Sequence, residues 1–102
     1  MNRTISNLAK TDGRVYVYLA DDETGNGFLR MAEDEGFTFA DGARPTERDY
    51  AGVMAVNRDG TLNYVGAAGR IAFGAGAETV GGERLIRVDF RKYAAGNPDF
   101  FC

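Results

Sequence analysis

The chain has 102 residues, a formal net charge of −3 and a pI near 4.8. That length suits one domain spanning residues 1–102 and is too short for two independent cores. The acidic balance excludes a protein that coats DNA or RNA, which needs a cationic excess to displace phosphate counterions.

Hydrophobic residues make up 44% of the chain and include seven Phe and five Tyr. Each large ring buried adds substantially to a core, so a folded domain is expected and disorder is not. There is no histidine, which removes the commonest general base, the usual hydrolytic triad and the usual zinc ligands. The single cysteine, Cys102, excludes an intrachain disulfide and fits a reducing compartment. No apolar run resembles a signal peptide or approaches the roughly 20 residues of a membrane span. The expectation is a soluble cytoplasmic protein with no membrane association, no catalytic residue, no metal and no cofactor, which works by binding. Of the twelve basic side chains only Lys10 and Lys92 are lysines; the rest are arginines. Guanidinium groups fork onto carboxylate and phosphate, although the codon usage of a GC-rich genome produces the same bias.

In chain order, residues 1–11 are a polar lead with Ile5 and Leu8 at helical spacing, enough for one short turn. Asp12-Gly13 punctuates the chain ahead of a strand over Val15–Leu19. Val15, Val17 and Leu19 share one face of that strand and Tyr16 and Tyr18 the other. Asp21-Asp22-Glu23-Thr24 suits the positive end of a helix that runs to Glu35, with Phe28, Leu29, Met31 and Ala32 inward and Gly36 as its C′ residue. Gly25 and Gly27 fit badly in a first turn and predict a later start. They also lack the third glycine or the lysine of a nucleotide loop. Phe37–Phe39 reads as a short strand, followed by a stiff polar loop over Asp41–Asp49. Asn57-Arg58-Asp59-Gly60 between Val53–Val56 and Thr61–Val65 specifies a hairpin. The small-residue stretch from Gly66 to Ala77 predicts one or two helical turns, and Gly81-Gly82 is a break. A last strand is expected over Leu85–Tyr93, with Ile86, Val88 and Phe90 on the core face and Arg87, Asp89 and Arg91 opposite. The tail from Gly96 to Cys102 is turn-like and presents Phe100 and Phe101. The fold class is therefore α+β: a mainly antiparallel sheet of about five strands, with one main helix and a short helical turn packed on it.

Two segments suit oxyanion binding. In Arg44-Pro45-Thr46-Glu47-Arg48 the proline stiffens the backbone, while Arg44, Thr46 and Arg48 offer donors. The same arginines also suit surface ion pairs with Asp41, Glu47 and Asp49. Gly66-Ala67-Ala68-Gly69-Arg70 follows a strand. Gly66 and Gly69 permit close backbone approach, Arg70 supplies a charged fork, and Phe73, one turn further on, can stack a base. Close packing between two elements or two subunits explains these glycines equally well. The Arg87/Asp89/Arg91 row suits a solvated face.

Phe37-Thr38-Phe39-Ala40-Asp41-Gly42, Arg44-Pro45-Thr46-Glu47-Arg48, Val53-Met54-Ala55-Val56-Asn57 and Asn63-Tyr64-Val65-Gly66 resemble a run of small proteins from phages and prophages of low-GC Gram-positive bacteria. Within that group the chain resembles the phage Thoeris anti-defence sponges, over about Val15 to Tyr93. The resemblance implies an oligomeric, non-enzymatic protein that aids immune evasion by sequestering a cyclic nucleotide signal at subunit contacts. The ligand implied is glycocyclic ADP-ribose, with cyclic di- or trinucleotides for some members. The binding residues named above rest on physical grounds and not on the family's own contacts. A different class of function is a protein-binding inhibitor of a host nuclease, in which Asp21-Asp22-Glu23 and Glu33-Asp34-Glu35 imitate phosphates.

Overall fold

The computed structural model describes residues 3–102. The fold is α+β, with the elements α1 (Ile5–Ala9), β1 (Arg14–Tyr18), α2 (Asp22–Asp34), β2 (Thr38–Phe39), a 3-10 turn (Pro45–Glu47), β3 (Val53–Val56), β4 (Thr61–Tyr64), α3 (Ala67–Gly74), β5 (Thr79–Val80), β6 (Glu83–Asp89) and α4 (Phe90–Ala94). Six strands form one sheet in the order β2-β4-β3-β1-β6-β5. No helix among the described residues is long and apolar enough to cross a membrane.

Three of the five strand pairings are antiparallel, in keeping with the mainly antiparallel sheet expected, and two details refine that expectation. The sheet is mixed: β1 pairs antiparallel with β3, β3 with β4, and β5 with β6, but β1 runs parallel to β6 and β2 parallel to β4. The reason lies in β1, where Val15, Tyr16 and Val17 are all buried. A central strand covered on both faces is where parallel pairing is at home. The sheet also carries a sixth strand beyond the five expected. The extra one, β5, is only two residues long and is joined to β6 by Gly81-Gly82, whose φ values of +56° and +80° are those of a two-residue hairpin turn.

One face of the sheet carries the main core. Val15, Val17, Met54, Val56, Ile86 and Val88 pack there against Ile5 and Leu8 of α1, Phe28 and Leu29 of α2, and Phe90 and Tyr93 of α4. Phe28 is fully buried, meets Phe90 edge-on at 5.0 Å, and contributes about 1.5–3 kcal/mol by leaving water. The other face carries a smaller cluster of Tyr16, Ala55, Val65 and Leu85, packed under Ala72 and Phe73 of α3. The alternation Val-Tyr-Val-Tyr therefore separates two layers of packing, with Tyr16 buried beneath α3.

Helix α2 begins where its acidic cluster places it, not later. Asp21 caps it by accepting from the Thr24 N–H at 2.8 Å. Gly25 is tolerated in the first turn because the Tyr50 ring lies directly on it. At the other end Gly36 has φ +86°, the Phe37 N–H donates to the Ala32 carbonyl and the Gly36 N–H to the Glu33 carbonyl. That is the double bond of a Schellman ending, as the sequence predicts. The Asn57–Gly60 hairpin also forms as expected, with the Gly60 N–H on the Asn57 carbonyl.

The last strand stops earlier than expected. Asp89 turns it into α4 by capping the Lys92 N–H, so Phe90 reaches the core from a helix and Arg91 leaves the strand face altogether to stand 3.8 Å from Asp21. The tail returns along β6: the Asp89 N–H donates to the Phe100 carbonyl, the Cys102 N–H to the Arg87 carbonyl, and Phe101 bridges Val88. Phe100 is half-buried on the Tyr93 ring and Phe101 exposed. Arg3 clasps this arrangement, donating to the Asn97 carbonyl at 2.7 Å with its guanidinium 4.8 Å from the Phe100 ring centre.

Candidate functional site

The first predicted segment forms the 3-10 turn, and its donors have partners within the chain. Pro45 opens the turn and is buried. Thr46 gives both its N–H and its hydroxyl to Glu33 Oε1, at 3.2 and 2.6 Å. Those bonds hold the Glu33 carboxyl below the usual carboxylate range. Arg44 pairs with Glu47 at 2.6 Å. Arg48 pairs with Asp41 while its guanidinium lies 4.8 Å above the Phe39 ring centre. The hydrogen bond from Arg48, ahead of that from the Ala43 N–H, depresses the Asp41 pKa.

The second segment forms α3, which gathers Gly66, Gly69, Arg70 and Phe73 on one short helix. Gly66 is the N-cap and has no side chain to satisfy the turn. Arg70 donates its N–H to the Gly66 carbonyl, but its guanidinium has no hydrogen bond or ion pair among the described residues. Gly69 is a packing glycine: a Cβ there would stand 2.5 Å from Val65 Cγ1 and 3.3 Å from the Tyr16 hydroxyl oxygen. Phe73 is half-buried with its ring 6.3 Å from that of Tyr18, and Tyr18 keeps 40% of its surface exposed. Ile71 stands out at 72% exposure.

The two segments lie on opposite faces of the sheet. The 3-10 turn packs on α2, over the main core, whereas α3 covers Tyr16 on the other side. They do not form one pocket.

No family model, curated protein or solved structure matches this chain.

Sequence reading missed a third grouping. Arg14, Arg58 and Arg84 meet with Asp12, Asn57 and Glu83 around a groove of about 460 Å³ at one end of the sheet. The residues lie in or beside the ends of three strands far apart in the chain, so no local spacing announces them. Gly13 is the only hint: at φ +139° its missing Cβ would stand 2.5 Å from the Arg84 carbonyl oxygen, so glycine alone lets the two strands approach.

Four of the six carboxylates in the two acidic clusters serve the fold. Asp21 caps α2, Asp22 accepts from the Tyr50 hydroxyl, and Glu33 holds Thr46. Glu35 accepts from the Ile5 N–H, the Ser6 N–H and the Ser6 hydroxyl at 2.8–2.9 Å, capping α1 across the core. No group of three or more His, Cys, Asp or Glu side chains among the described residues is placed to hold a metal ion. Desolvation, then the charge of Asp89, pushes the Cys102 thiol above its ordinary pKa, which lowers its thiolate fraction at neutral pH.

Proposed function

We propose that the chain is a phage or prophage anti-defence protein that captures a cyclic nucleotide immune signal and holds it unchanged. The observation that carries this reading is the amino end of α3, where an uncapped first turn stands one turn from the unpaired guanidinium of Arg70. Free N–H groups and a charged fork together suit a phosphate. Phe73 and the half-open Tyr18 ring beside it offer a surface on which a base stacks. Nothing beyond binding is asked of the site, and a chain without histidine has few groups to do more. The ligand implied by the sponge resemblance is glycocyclic ADP-ribose or a cyclic oligonucleotide. The exposed Ile71 on the same helix supports self-association there, with the ligand at the contact between copies.

The nuclease-inhibitor reading has less support, because Asp21, Asp22, Glu33 and Glu35 are turned to internal partners and, among the described residues, only Glu23 and Asp34 make no hydrogen bond or ion pair. Incubation with glycocyclic ADP-ribose and cyclic dinucleotides, followed by heat denaturation, tests the proposal. Capture and return of intact nucleotide is the expected result. Return of an altered nucleotide would make the protein an enzyme, and the absence of any thermal shift would move the search to protein partners.

A further inference from the structure

The sheet topology delivers three arginines to one place. Because β3 runs antiparallel to β1 and β6 parallel to it, the end of β3 and the starts of β1 and β6 lie side by side. Arg14 opens β1, Arg58 follows β3 by two residues and Arg84 is the second residue of β6. Neighbouring strands are about 4.8 Å apart, well within the reach of an arginine side chain.

Two of the three guanidinium groups are held in position. Arg58 donates to the Lys10 and Thr11 carbonyls, both at 3.4 Å, and stands 3.6 Å from Asp12; Arg14 pairs with Glu83. Arg84 has no hydrogen bond or ion pair from its side chain among the described residues. Three cations facing two carboxylates leave one positive charge uncompensated, in a chain whose net charge is −3. The local sign thus opposes the global one, which favours capture of an anion at this groove.

Arg84 also lines a second cavity, of about 530 Å³, together with Leu85, Thr79 and Phe101. The Phe101 ring is 57% exposed. An anionic group on Arg84 therefore has, in this second cavity, the exposed Phe101 ring for whatever carries it. We propose that Arg84, flanked by Arg14 and Arg58, binds the phosphate of a small phosphate monoester whose planar organic part lies against Phe101. The volumes match those of small-molecule sites, and the planar fork of arginine suits a phosphate oxygen pair. Neither Arg70 nor Phe73 lines either cavity, so this site stands apart from the one at α3.

The test uses the whole chain with adenosine 5′-monophosphate, inorganic phosphate and adenosine as separate probes. Arginine Nε–Hε resonances are followed by NMR and affinities by calorimetry. Saturable movement of the Arg84 resonance is expected with the monophosphate, weaker movement with phosphate alone, and none with adenosine. Arg84→Gln should weaken monophosphate binding about tenfold or more, the scale of one lost charged hydrogen bond, without changing the melting temperature. Phe101→Ala should weaken the monophosphate and leave inorganic phosphate unaffected. The proposal is overturned by a static Arg84 resonance, by equal affinity in Arg84→Gln, or by monophosphate binding that moves Arg70 and leaves Arg84 still. This last result would favour the α3 site, whereas loss of binding in Arg84→Gln but not in Arg70→Ala separates the two the other way.

Discussion

The ring of Tyr50 lies against Gly25 so closely that a methyl group on the glycine would stand 2.3 Å from its Cγ. The Tyr50 hydroxyl meanwhile donates to Asp22, which raises the phenol's pKa and ties the loop before β3 to the first turn of α2. Gly25→Ala must displace that ring. Overpacking costs about 1–3 kcal/mol, against a gain of about 1 kcal/mol in helix propensity, so the variant should be less stable. Gly27, two residues on, has open space around its Cβ position. Gly27→Ala should raise stability by up to about 1 kcal/mol. Urea unfolding of the two variants measures opposite signs, and the loss at Gly25 should largely vanish in a Tyr50→Ala background.

Glu35 and Asp34 are neighbours with different duties. Glu35→Ala leaves two N–H groups of α1 without their acceptor, at a cost of about 1–3 kcal/mol. Asp34 is exposed and makes no hydrogen bond or ion pair among the described residues, so Asp34→Ala should change stability by less than about 0.5 kcal/mol. Hydrogen exchange at Ile5 and Ser6 should quicken in the first variant only.

Stability should fall on the acid side of neutrality. Asp21, Glu33 and Asp41 all have folded pKa values below their ordinary 3.8, 4.5 and 3.8, mainly through hydrogen bonds from Thr24, Thr46 and Arg48. The unfolded chain therefore takes up protons first as pH drops. The stability these bonds supply is complete above the ordinary carboxylate values and is lost as pH falls through the lower folded ones. With no histidine to titrate, thermal melts should show a plateau between about pH 6 and 8 and a decline below about pH 4.5. Asp41→Asn should flatten part of that decline.

The two arginine-bearing segments named from the sequence should separate by mutation. Arg48→Ala removes the Asp41 pair and the contact over Phe39, so it should lower the melting temperature slightly and leave nucleotide capture intact. Arg70→Ala removes no side-chain hydrogen bond or ion pair among the described residues. It should melt like the parent and lose capture. Equal nucleotide affinity in parent and Arg70→Ala would sink the assignment to α3.

Much of the fold is legible locally. Gly36 marks the carboxyl end of α2, Asp59-Gly60 marks the β3–β4 hairpin, and the β1 pattern marks a strand, because each depends on residues a few positions apart. The parallel pairing of β1 with β6 is not legible in that way, since it depends on which strands end up central and covered twice. Asp89 was readable as a cap in principle, but the apolar alternation through Ile86, Val88 and Phe90 outweighs it until the helix is seen. The site was less legible still. The pairing of Arg44 and Arg48 with Glu47 and Asp41 is among the readings the sequence offers, whereas the bonds from Thr46 to Glu33 emerge only when the turn is placed on α2. Arg14, Arg58 and Arg84 meet only through the topology.

The central β1–β6 pairing also governs when the molecule can exist. Arg14 faces Leu85, so about seventy residues must leave the ribosome after β1 before its parallel partner is available. At roughly 5–20 residues per second β1 waits several seconds with the apolar edge of Val15 and Val17 unpaired on that side. Contacts so distant in sequence also place the domain among slower folders, in the millisecond-to-second range. Until Asp89 has emerged, β1 has the hairpin of β3 and β4 as its sheet partner, and substitutions that weaken that hairpin should show first as aggregation of nascent chains.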